Sequence, residues 1–204
     1  MKINLKIVIL GDTSVGKSSL LAGKYYSDTN LPNYGTNFTT KEIVINNTTV
    51  SIQFWDMPGQ RSLRSCCVPY YRGADCCVLV FDVTSLESFE SLNYWRNEFL
   101  NEISIPNGKL CPFVVIGNKV DLNNIMVDQE CVKLWRRDNE ILSYFVTSAK
   151  DSTNVKEAFN KIIQIAFDSK QKTYIYETAD DQKDQNACLF CCGLFSCITH
   201  SNVL

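Results

Sequence analysis

The chain carries no excess of charge of either sign: 20 lysines and arginines stand against 22 aspartates and glutamates. No basic stripe for DNA or RNA is present, and no nucleic-acid partner is expected. Long apolar runs are missing too, since nothing approaches the roughly 20 residues of a membrane-spanning helix. The first residues do not have the make-up of a secretory leader, because Ile7 to Leu10 is brief and runs into Gly11 instead of a cleavage site. The expectation is a cytosolic chain in which the ten cysteines stay reduced and build no disulfide framework. Six of them, Cys66, Cys67, Cys76, Cys77, Cys111 and Cys131, lie in the body of the chain and read as small core hydrophobes. No internal repeat is visible.

What is present suits one globular domain: 204 residues, 45% of them hydrophobic, suffice for a sizeable core. "INLKIVIL" reads as a strand; "KEIVIN", the pair Asn46 and Asn47, and "TVSIQFW" read as a hairpin, with Val50, Ile52 and Phe54 on one face. "CCVLVFDV" and "PFVVIGN" are continuous valine-rich runs, as in strands buried on both faces of a parallel sheet. Between them Leu86, Phe89, Leu92, Trp95 and Phe99 recur at helical spacing behind a capping-box pair, Thr84 and Glu87. A later helix carries Val155, Ala158, Phe159, Ile162 and Ala166, with Asn154 as its N-cap. Alternating strands and helices predict an α/β fold with helices on both faces of the sheet and ligands at the carboxyl ends of the strands. The domain is expected over residues 1–170, followed by a flexible tail, 171–204, that starts in polar sequence and ends rich in cysteine.

"GDTSVGKSS" follows the first strand and matches G-x-x-x-x-G-K-S. Gly11, Asp12, Thr13, Ser14, Val15, Gly16, Lys17, Ser18 and Ser19 are the candidate phosphate cradle. Backbone N–H groups there point at phosphate oxygens, Lys17 adds a point charge, and Ser18 offers a hydroxyl to Mg²⁺. In "WDMPGQ", Asp56 is a second candidate for Mg²⁺, a cation that prefers hard oxygens and keeps several waters. Gly59 can give a backbone N–H to the terminal phosphate, and the Gln60 amide can orient an attacking water. "GNKVDL" supplies Asp121, whose two oxygens complement the N1–H and amine of guanine, with Asn118 bracing the loop and the Lys119 stem lying on the ring. "TSAK" adds Ser148, Ala149 and Lys150, and the Ala149 N–H can meet a purine carbonyl. A plain Gly-rich turn explains the first segment alone; it does not explain four segments in this order. A P-loop nucleotide kinase shares the first segment but leaves "NKVD" unexplained.

From about Lys2 to Asp168 the chain resembles the Ras-like small GTPases, more closely the Rab branch, on "GDTSVGKSS", "FWDMPGQ", "YYRGAD", "GNKVDL" and "TSAK". "YYRGADCCVLVFDVT" and "WRNEFL" are most similar to the late-endosomal and vacuolar Rab proteins. The resemblance implies a six-stranded sheet with five parallel strands, GTP and GDP bound with Mg²⁺, slow GTP hydrolysis, and a monomeric switch in vesicle trafficking. It further implies an exchange factor, an activating protein and effectors that read residues 27–40 and 57–72, and a place on the cytosolic face of endosomal or vacuolar membranes.

Two departures bear on the mechanism. The family's metal-binding threonine two residues before a glycine is replaced: Gly35 is preceded by Asn33 and Tyr34, so Asn33, or Thr36 in a shifted register, is the candidate ligand. Pro58 stands beside Gly59, lacks an N–H and stiffens the segment. Arg61 and Arg64 follow where the family commonly begins with glutamate. An alternative is therefore a guanine-nucleotide-binding scaffold with weak or no hydrolysis. In the tail, Cys188, Cys191, Cys192 and Cys197 are candidates for lipidation, although position 201 is Ser201 and no C-a-a-X box is formed. Acylation beside Leu189 and Phe190, a zinc site with His200, and an unmodified tail remain the alternatives there.

Overall fold

A computed structural model describes residues 2–22, 38–103 and 111–172 of the chain. Asn33, Thr36, positions 27–37 of the first switch segment and the four tail cysteines lie outside the described residues. Met1–Ser169 form one compact unit and Lys170–Leu204 a second.

The strands are β1 (Lys2–Leu10), β2 (Phe38–Ile45), β3 (Thr48–Asp56), β4 (Cys76–Asp82), β5 (Phe113–Asn118) and β6 (Ser143–Val146). They form one sheet in the order β2-β3-β1-β4-β5-β6, with β2 antiparallel to β3 and every other pairing parallel. The helices are α1 (Lys17–Ala22), α2 (Arg64–Cys67), α3 (Leu86–Glu90), α4 (Leu92–Glu102), α5 (Gln129–Asp138) and α6, which spans 155–172. None of the described helices is long and apolar enough to cross a membrane.

Period-two alternation in β1 sorts the core into two layers. Ile3, Leu5, Ile7 and Ile9 face a cluster with Val50, Ile52, Phe54 and the α6 residues Phe159, Ile162, Ile163 and Phe167. Val8 and Leu10 face the opposite cluster, with Leu79, Phe81, Leu92, Trp95 and Phe99. β4 and β5, the two continuous apolar runs, are buried at every residue, as strands covered on both faces must be. Asn46 and Asn47 both adopt positive φ, 49° and 62°, the turn that two-residue hairpins favour.

Four expectations change. The helix after β4 is two pieces, α3 and α4, which meet at Ser91. Its cap is Ser85, whose hydroxyl accepts from the Ser88 N–H, because Thr84 is taken by Asp82, which accepts from the Thr84 N–H and hydroxyl at 2.9 and 2.7 Å. Leu86, on the first turn of α3, is 50% exposed and not core. Of the six body cysteines, Cys67, Cys76, Cys77 and Cys111 are buried, but Cys66 and Cys131 are exposed; none of the six is in a disulfide. Burial pushes the Cys76 and Cys77 thiols well above the ordinary thiol range.

Candidate functional site

Every candidate segment stands at the carboxyl end of a parallel strand, and the sheet register brings the ends level. Asp56, the last residue of β3, pairs with Ile9, two residues before Gly11; Asp82 of β4 pairs with Asn118 of β5; Gly117 pairs with Val146, just before Thr147. Five strand ends thus converge on one edge, where the cleft lies. The cleft holds about 540 Å³, and Asp12 to Val15, Gly59 to Arg61, Asp82 and Lys119 are among its lining residues.

The loop from Gly11 to Gly16 needs its glycines for space. A Cβ on Gly11 would stand 2.2 Å from the Val80 carbonyl oxygen, and one on Gly16, at φ 100°, 2.2 Å from the Asn118 amide nitrogen. Ser14 and Lys119 adopt left-handed φ of 62° and 71° without being glycine, so two of the chain's strained backbone positions lie at this cleft. Val15 turns its side chain into the core, leaving its backbone to the loop. Lys17 is 6% exposed and its Nζ donates to the carbonyls of Gly11 and Asp12 at 2.8 and 2.6 Å. Burial pulls the Lys17 amine below its usual range, while Asp56 and Asp12 pull it back up. A buried ammonium held by the carbonyls of a glycine loop, with no carboxylate among the described residues bonded to it, is a site for a polyanion.

Ser18, on the first turn of α1, donates its hydroxyl to Asp56 Oδ2. The other oxygen, Asp56 Oδ1, is buried and has no hydrogen-bond partner. Burial raises the Asp56 carboxyl above the ordinary carboxylate range, against the lowering effects of Ser18 and Lys17. A carboxylate oxygen left bare beside a hydroxyl is a hard oxygen pair, and Mg²⁺ fits it. Gly59 presses its backbone on the phosphate loop: a Cβ there would lie 2.4 Å from Asp12 C and Thr13 N. Gln60 is exposed beside it.

At the other end of the cleft Asn118 acts as a brace. Its Nδ2 donates to Val15 O at 2.9 Å, and its Oδ1 accepts from Thr147 Oγ1 and from the Ala149 N–H at 3.2 and 3.1 Å. It thereby ties the phosphate loop to the "TSAK" turn, and the Ala149 N–H expected on a purine carbonyl is directed here at Asn118. Ser148 donates its hydroxyl to Asp121 Oδ1 at 2.7 Å, and Lys150 Nζ stands 3.8 Å from Oδ2. The Asp121 side chain is 13% exposed and is aligned by these two partners. An aligned carboxylate is the acceptor pair that guanine's N1–H and amine require and that adenine cannot match.

Two residues of the site were not read from the sequence. Asp82 accepts the Lys119 ammonium at 2.6 Å, holding the side chain that would lie along a base. Burial pushes its pKa up, but the bonds from Lys119 and Thr84 outweigh this and hold it below the ordinary range. Its signal was available, for Asp82 ends a buried apolar strand just as Asp56 ends β3. Trp95 donates its indole N–H to Asp12 Oδ1 at 2.8 Å across 83 residues of sequence, and no local pattern announces that contact.

Comparison with known proteins agrees with this assembly. A profile described as the Ras family matches residues 6–168. The chain is similar to the Ras-related protein Rab7 of Drosophila melanogaster, 42% identical over 87% of each chain. It is similar also to the Ras-related protein RABG3f of Arabidopsis thaliana, 44% identical over 86% of this chain and 89% of the relative. The Ras-related protein Rab7 of Pisum sativum is 41% identical over the same shares.

Proposed function

This chain belongs to the Ras family and is a small GTPase, and from that premise we propose that it works with Mg²⁺ as a monomeric switch in vesicle trafficking on endosomal or vacuolar membranes. The observation that carries the nucleotide assignment is the pairing, at one edge of the sheet and bridged by Asn118, of buried Lys17 under a glycine loop with Asp121 aligned by Ser148. The first grips a polyphosphate, and the second selects the base.

In the reaction, Lys17 faces the phosphates and the loop N–H groups hold their oxygens in place. Asn118 fixes the distance between phosphate loop and base pocket through its bonds to Val15, Thr147 and Ala149. Lys119, anchored on Asp82, lays its stem against the base, and Asp121 accepts the base's two donors. Gln60 orients the attacking water, and the Gly59 N–H points to the phosphate that leaves. Ser18 and Asp56 would hold Mg²⁺, directly or through water, and the ion supplies charge neutralisation between the outer phosphates when bound. Asn33, with Thr36 as the alternative, is proposed as the remaining ligand.

Hydrolysis on this plan is slow alone, and a partner's arginine can add roughly 10³ to 10⁵ in rate. The non-hydrolysing scaffold is not favoured, since relatives more than 40% identical are Ras-related proteins and Gln60 keeps its place at the cleft. Residues 27–40 and 57–72 are proposed to meet the exchange factor, activating protein and effectors. The domain is proposed to end near residue 170, and the tail cysteines 188, 191, 192 and 197 to anchor it to membrane by lipidation.

The test is chemical. Chain purified with Mg²⁺ should release GDP or GTP on denaturation and, once emptied with EDTA, should take up GDP but not ADP. Well-folded material that binds neither guanine nucleotide would overturn the assignment.

A further inference from the structure

Arg61 follows Gln60 directly and departs from the acidic residue common in the resembling family. Arg61 is an exposed residue, yet its guanidinium is docked on α4. Nη2 donates to Ser91 Oγ at 3.0 Å, and the guanidinium carbon lies 4.4 Å from the centroid of the Tyr94 ring. Ser91 is 6% exposed and occupies the N-cap position of α4, yet its side chain makes no capping bond; its hydroxyl serves as the acceptor for Arg61. Tyr94 stands edge-on to Trp95, with centroids 5.2 Å apart, and Trp95 in turn holds Asp12 of the phosphate loop. Asp12 and Thr13 are the backbone on which Gly59 rests. The contacts close on themselves: Gly59, Gln60, Arg61, then α4, then Asp12, and back to Gly59.

We propose that Arg61 is a positioning residue for Gln60, its docking on Ser91 and Tyr94 fixing the segment that carries Gln60 against a phosphate loop clamped by the same helix. The planar guanidinium suits this task, because it stacks on an aromatic face while keeping directed N–H donors for the hydroxyl. Gln60 itself is exposed, and its backbone oxygen accepts from the Leu63 N–H at 3.0 Å, so a tether one residue away acts on the whole turn. A displacement of about 1 Å at a group that orients water is enough to cost roughly 100-fold in rate. The proposal rests on the assignment of Gln60 as the water-orienting group.

The test is single-turnover hydrolysis of GTP by the full chain with Mg²⁺, run beside GTP affinity and amide hydrogen exchange. Arg61→Ala should slow hydrolysis by about 10-fold to 100-fold and speed amide exchange across residues 61–67, a loss of rate larger than any change in the Kd for GTP. Arg61→Lys, which keeps a cation over Tyr94, should recover part of the rate. Tyr94→Leu should reproduce the loss, and the double variant should be no slower than the slower single one, as for two ends of one contact. Should Arg61→Ala fail to fold, Ser91→Ala and Tyr94→Leu carry the same comparison. Normal turnover by the wild type with no slowing in Arg61→Ala, or losses that multiply in the double variant, would overturn the tether alone. A wild type that binds GTP but never turns it over would overturn the role of Gln60 together with it.

Discussion

Residues chosen for chemistry were easy to read because each carries a rare combination of type and place. Gly11, Gly16, Lys17 and Ser18 pointed to a candidate phosphate loop, and Asn118 with Asp121 to a candidate purine pocket, because a fixed spacing put them where strands end. Contacts made by residues distant in sequence were not legible: Trp95 reads only as an apolar helix position, and nothing local says that its N–H meets Asp12. Gly16 offers the sharpest test at this scale. Gly16→Ala drives a methyl into the Asn118 amide at a φ of 100°, and backbone strain on the order of 1–3 kcal/mol should weaken GDP binding roughly 10-fold to 100-fold. Equilibrium titration with a fluorescent GDP would measure it. Asp82 gives a pH test. Its folded pKa lies below the ordinary value, so the stability it contributes is present above the unfolded carboxylate pKa and is lost as pH falls through the folded one. Asp82→Asn should therefore cost about 1–3 kcal/mol at neutral pH, the worth of hydrogen bonds to a charged group. Urea titrations repeated at successively lower pH should show wild type and variant converging below the ordinary carboxylate range.

Elements were legible in proportion to how one-sidedly they are buried. The hairpin was plain, since Val50, Ile52 and Phe54 alternate and are each fully buried, and the two valine-rich strands were plain for the opposite reason, having no polar face. α5 gave no such signal. Only Val132 in it is fully buried, with Trp135 half-buried in an edge contact with Phe89, so its apolar stripe is narrow, and it is held also by an Asp128 cap and by the Trp135 N–H on Asn93 at 2.8 Å. The break at Ser91 was equally hidden, because Leu86 through Phe99 keep helical spacing across it. α6 is the opposite extreme. Phe159 is fully buried and meets Phe54 in an edge contact, with centroids 5.5 Å apart. Phe159→Ala should destabilise the domain by about 3–5 kcal/mol, the usual cost of emptying a core aromatic site, yet leave the preference for GDP over ADP intact, since the cleft lies at the strand ends and not beneath α6. Chemical denaturation and competition binding would separate the two effects.

At the scale of the whole molecule, the fold class followed from alternation, whereas the order of the strands did not, because a continuous apolar run marks a strand as covered on both faces without saying which strands lie beside it. The site is assembled from five strand ends, so its ligand binds the folded chain and not the unfolded one. Mass action then predicts that GDP with Mg²⁺ at a thousand times its Kd adds about 4 kcal/mol to stability, which for a domain of this size is roughly 10 °C in Tm. Thermal scans with nucleotide and Mg²⁺, and again after EDTA, should differ by that much, and ADP should give no shift.

The distribution of thiols sets how the molecule meets an oxidant. Cys76 and Cys77 are sealed on opposite faces of the sheet and Cys111 is buried beside the second, and burial keeps the first two protonated and inert. Cys66 is exposed, a few residues past Gln60. Among the described thiols, an oxidant such as peroxide therefore meets Cys66, beside the hydrolytic turn, and Cys131 on α5, while the thiols inside the sheet stay out of its reach.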